Sequence, residues 1–183
     1  MEFHLADPAE RRSKFFEDYA RIVDRHRTRG FEYEQEAIAY STGALKILSY
    51  LNGGGLLAMP TAVALFHASI DKVKILLLAG AGCFVAGLLF IAIAQGCAFF
   101  TMAKRSESEN HLASEHALLL SMTHYPEVGD QQSIRTEATE HRASSNNKIT
   151  ISNRWRFAGL LLFWLSFLAF NGGCLLGAIA ILS

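Results

Sequence analysis

The sequence predicts an all-α membrane protein with three transmembrane helices, an amphipathic N-terminal cytoplasmic helix and a helical cytoplasmic extension of the second span. Three observations predict it. Hydrophobic residues make up 51% of the chain, yet they crowd into three runs, residues 42–66, 75–102 and 157–183. Each run meets the roughly 20 apolar residues that one helical crossing of the hydrocarbon core requires. None holds Asp, Glu or Arg, and the single charge, Lys46, sits close enough to the start of its run for the ammonium to reach the headgroups.

The N-terminal arm, residues 1–41, reads as helix from about Pro8, a tolerated first-turn proline. Phe15, Phe16, Tyr19, Ile22 and Val23 form one apolar stripe, and Phe31, Ala37, Ile38 and Tyr40 a second after Gly30, where a bend between two helical pieces is expected. Glu10, Glu17, Asp18, Asp24, Glu32, Glu34 and Glu36 interleave with the arginines. A lipid-surface helix is usually more one-sidedly basic, so packing on a partner helix is favoured over lying on the bilayer. With charged residues ahead of the first full-length run, that run is expected to act as its own uncleaved signal.

Residues 67–74 read as a short external connection after the first span. The second span is expected to continue as a helical stalk from residue 103 to about residue 123, which lacks Pro and Gly and carries Leu112, Leu118, Leu119, Leu120 and Met122. Pro126 and Gly129 end it, and the Ser-, Thr-, Gln- and Glu-rich stretch to about residue 147 reads as a mobile loop. Residues 103–156 thus form one cytoplasmic segment, closed by Trp155 as an interfacial anchor before the third span.

Orientation follows from the cations. Seven Lys and Arg residues (11, 12, 14, 21, 25, 27, 29) precede the first span, and Lys104, Arg105, Arg135, Arg142, Lys148, Arg154 and Arg156 lie between the second and third, against Lys72 and Lys74 in the short connection. Cationic flanks stay cytoplasmic, so the N-terminus is expected inside and the C-terminus outside.

A repeated motif, Asn-Gly-Gly-x-Leu-Leu, begins at Asn52 in the first span and at Asn171 in the third, giving Asn52, Gly53, Gly54, Gly55 and Asn171, Gly172, Gly173 as candidate site residues. One reading is helix packing, with glycines admitting close backbones and amides bonding across; Gly173-x-x-x-Gly177 is of that kind. The other reading is that three glycines and Pro60 open the first helix so that freed carbonyls line a wet path. Gln95 in the second span is a third intramembrane amide, and the three could form a ring, within one protomer or around an axis.

Glu107, His111 and Glu115, with His116 and His124 nearby, have a spacing that metal binding or pH sensing could use, but a solvated face is the favoured reading. Cys83, Cys97 and Cys174 fall inside the spans and read as small packing residues. The zero net charge gives no reason to expect nucleic acid. With no nucleophile elbow, phosphate loop, dinucleotide glycine pattern or paired intramembrane carboxylates, no catalytic residue, cofactor or metal is expected.

The run Tyr40-x-x-x-Ala44-Leu45-Lys46-x-Leu48-x-x-Leu51-Asn52-Gly53-Gly54, continuing through Ala58, resembles a loose group of small bacterial membrane proteins with an Asn-Gly-Gly first span and two further spans. That resemblance covers about the first hundred residues and implies an inner-membrane location and this architecture. More distantly, the layout is similar to SLATT-type membrane effectors of bacterial anti-phage systems, which implies oligomerisation and permeabilisation of the membrane. The expected function is a homo-oligomeric, regulated pore in a lipid bilayer, with a cytoplasmic protein or small ligand as a trigger. The alternative is a non-conducting anchor that binds a partner through its cytoplasmic helices.

Overall fold

The computed structural model describes residues 7–65, 70–126 and 130–182, and every element among them is helical. α1 spans Pro8–Leu65, α2 spans Ile70–His124 and α3 spans Gln131–Leu182. Asp7 starts α1 by accepting from the Ala9 amide at 3.1 Å, with Pro8 at the first helical position, where its missing N–H costs nothing. Asp130 starts α3 in the same way, its carboxylate taking the Gln132 amide at 3.0 Å.

Three sequence expectations change here. No bend divides the arm, since α1 is continuous through Gly30. It is also continuous through Gly53, Gly54, Gly55 and Pro60, so the helix does not open locally at the motif. The stretch expected as a mobile loop is helix from Gln131 onward. Its large apolar residues are few, but Ala138, Ser145 and Ser152 recur every seven residues and are all buried. That spacing makes one helical stripe, and small side chains on it let a neighbouring backbone approach closely.

The chain divides into two compact units, one of residues 1–36 with 101–153 and the other of residues 37–100 with 154–183. In the first, the interior is polar: His26, Ser108, Glu115, Ser145 and Ser152 are buried alongside Ala138. Ser108 and Ser145 meet hydroxyl to hydroxyl at 2.7 Å, tying α2 to α3. Ser152 donates to the Thr101 carbonyl at 3.0 Å. Phe15 stacks against Tyr19 and meets His124 and Tyr125 edge-on, closing one end. Arg105 lies over the Tyr33 ring at 5.5 Å.

The second unit has an apolar interior of Leu45 and Leu48 from α1 with Ile91 and Ala94 from α2, against which Leu162 and Phe163 of α3 pack. Its outward residues are apolar too: Leu78, Leu89, Ile93 and Phe99 on α2 and Phe157, Trp164, Leu168 and Leu175 on α3 are all exposed. Among the described residues, α2 and α3 are the two helices long and apolar enough to cross a membrane, and little of either apolar stretch is covered. Exposed apolar stretches of this length fit a membrane surrounding. The third expected span, 42–66, does not join them; Phe66 and the side chains of Ala44, Ala62, Val63 and Leu65 lie outside the described residues, as does much of the connection 67–74.

Candidate functional site

The amides separate into two situations. Asn52 is fully buried, and its Nδ2 donates to the Leu48 carbonyl one turn earlier and to Ser166 Oγ of α3, both at 3.1 Å. Ser166, equally buried, passes its own proton to the Gly87 carbonyl of α2 at 3.0 Å. One side-chain chain of donors therefore links all three helices of the second unit. Asn52 Oδ1 accepts nothing although it is buried, and it sits where a Cβ on residue 87 would be. Only glycine leaves that space, so Asn52 and Gly87 fit as a knob and a notch.

Asn171 and Gln95, by contrast, are exposed. Asn171 donates to its own helix, at the Phe167 carbonyl 2.8 Å away, which uses one of its two amide hydrogens. The three amides are thus not brought together within the chain: a ring inside one protomer does not form, and Asn52 is a helix-packing residue. The repeat in the sequence carries two different jobs because Asn52 points at the neighbouring helices and Asn171 away from them.

The motif glycines divide in the same manner. A Cβ at Gly173 would lie 2.8 Å from the ring of Phe84, and one at Gly55 would overlap that ring outright, so a buried phenylalanine of α2 fills the notches of both motifs. Gly173 thereby packs inside the chain and not between copies. Gly53, Gly54 and Gly177 have nothing within 4 Å of such a Cβ, and Gly172 meets only Cys83 Sγ at 3.8 Å. Pro60 is exposed beside a shallow apolar groove formed with Leu56, Met59, Leu77, Leu78 and Ala81. Cys97 is buried against Gly159, whose added Cβ would come within 3.2 Å of it, and Cys174 is exposed.

In the first unit the histidines are not free in water. His26 is buried, with Nδ1 2.8 Å from Glu109 Oε2 and Nε2 2.8 Å from His116 Nδ1. His111 Nδ1 lies 3.2 Å from His141 Nδ1, and His111 Nε2 3.0 Å from Ser144 Oγ. Glu107, His111 and Glu115, one candidate cluster by spacing, go to separate partners. Glu107 is held by Lys104 at 2.5 Å and by Lys148, and Glu115 pairs with Arg142 at 3.6 Å. The hydrogen bonds from Lys104, and then from Lys148, hold the Glu107 carboxyl below its ordinary value. Among the described residues, no group of three His, Cys, Asp or Glu side chains is placed to hold a metal ion.

Compared with known protein families, curated proteins and solved structures, the chain matches none. The reading of its function therefore rests on its own residues.

Proposed function

We propose that this chain assembles with copies of itself in the bacterial inner membrane and forms a regulated conducting path, crossing the bilayer three times with residues 42–66 as the further crossing. The single observation that carries the reading is the outward exposure of Gln95 and Asn171 within the apolar stretches 75–100 of α2 and 157–182 of α3, whose other outward residues are apolar. An amide facing hydrocarbon is costly unless it finds a partner. A neighbouring copy supplies that partner, and repeated around an axis the same amides line a wet passage.

The cluster of lysines and arginines in residues 1–36 and 101–153 supports a cytoplasmic side for both, so a reporter fused behind Ser183 is expected to read the outside. A role as a membrane-permeabilising defence effector rests on the architectural resemblance alone. The second reading, a non-conducting anchor for a partner protein, is supported by Phe16, Tyr19 and Val23, an exposed apolar stripe on α1 within the first unit.

Conductance in planar bilayers tests the choice. The wild-type protein is expected to carry current, and Gln95→Leu with Asn171→Leu to abolish most of it while leaving the fold intact, because an apolar lining favours dewetting. Folded, assembled wild-type protein that carries no current at neutral or acid pH would leave the anchor reading standing.

A further inference from the structure

We infer that the first unit is a proton-operated latch: the pairs His26–His116 and His111–His141 hold it closed at neutral pH and release it on acidification. His26 Nδ1 faces a carboxylate oxygen at 2.8 Å and therefore carries a hydrogen. Its Nε2 faces His116 Nδ1, also at 2.8 Å, and a contact between two ring nitrogens has room for one hydrogen. With both rings neutral, His116 donates and His26 accepts. A first added proton goes to the far nitrogen of the exposed His116 and breaks nothing. The second must go onto His26 Nε2, where two N–H groups then point at each other and two cations stand in contact. The pair separates instead.

The His111–His141 pair follows the same count. One hydrogen fits between the two Nδ1 atoms at 3.2 Å, while Ser144 Oγ satisfies His111 Nε2 as donor or acceptor. The first pair fastens α1 to α2 and the second α2 to α3, so losing both removes a buried or half-buried fastening at each helix contact of the unit. Imidazoles exchange protons near pH 6.5 in water, within the reach of ordinary acidification.

Other charged contacts join these helices as well. His124 Nε2 lies 3.4 Å from Asp18 Oδ2, and protonating His124 strengthens that contact between α1 and α2. Glu109 on α2 is the carboxylate facing His26 Nδ1, and it leaves the contact between the two ring nitrogens unchanged. Glu115 with Arg142, and Glu107 with Lys148, join α2 to α3 through ionised carboxylates. For Glu107 the sign is explicit: a carboxyl lowered in the folded state adds stability that is present above its unfolded value and lost as pH falls through its folded one. That loss lies below the ordinary carboxylate range and leaves Glu107 silent where imidazoles titrate.

Amide hydrogen exchange on the full chain in lipid nanodiscs, at about pH 7.5 and about pH 5.5 with intrinsic rates corrected, tests the latch. Protection of residues 8–36 and 101–153 is expected to fall about tenfold or more at the lower pH, with residues 75–100 and 157–182 unchanged. The double variant His116→Gln with His141→Gln should stay closed at both values, because a glutamine amide donates or accepts as its partner requires but takes no proton. Wild-type protection equal at both pH values overturns the latch, as does a double variant that keeps the full acid response or loses protection equally at both. That the latch gates a path rests on the proposed function; acid-released exchange without current would retain the latch and remove the conducting reading.

Discussion

Gly87→Ala is expected to destabilise the second unit by about 1–3 kcal/mol, the range in which forcing extra methyl groups into a packed interior falls. The added Cβ would stand 2.6 Å from Asn52 Cγ, and Asn52 cannot swing aside without giving up both Leu48 and Ser166. The loss should be rescued in large part by Asn52→Ala in the same molecule, since that removes the amide whose place the methyl takes. Asn52→Ala alone should cost about 1 kcal/mol, the scale of one interhelical bond in a membrane. Reversible unfolding in mixed micelles measures all three, and the coupling is the part to read. Additive losses would mean that Asn52 and Gly87 do not touch.

Phe84→Ala is expected to cost about 3–5 kcal/mol, the usual range for deleting a buried phenylalanine. The ring is 2% exposed and fills notches at Gly55 of α1 and Gly173 of α3 at once, so neither helix can close the cavity alone. In a bilayer, close packing and not water exclusion holds helices together, which places the cost in lost contacts. The same unfolding measurement checks it, and a loss under about 1 kcal/mol would show that the helices collapse onto the vacated space. Gly177, where an added Cβ would meet nothing within 4 Å among the described residues, is the better position than Gly173 for testing association between copies.

Helix type was legible because apolar run length and the absence of Pro and Gly are local properties, and α2 continues from its apolar stretch through residue 124 as expected. The helix over residues 131–147 was not, because its stripe is Ala138 and Ser145, small residues that register as loop composition until a partner helix faces them. The repeated Asn-Gly-Gly was visible, but which face each Asn occupies depends on helix rotation, which a six-residue motif does not encode. Ser166 and Gly87 carried a weaker signal, a hydroxyl and a glycine among large apolar residues, and searching for amides alone passed over both. The histidine pairs were missed for a related reason. His26 lies 90 positions from His116, and Glu107, His111 and Glu115 drew attention by spacing while each has a partner on α3.

Copies of the chain are expected to cover Gln95 and Asn171 in the membrane. The mass of the particle extracted in its own lipid, without prior detergent, measures this. A single species at an integral multiple of 20.2 kDa, three copies or more, is the predicted result, since a closed ring needs at least that many to enclose a path. Protein that is folded, retains its lipid and runs only at the mass of one chain would contradict it.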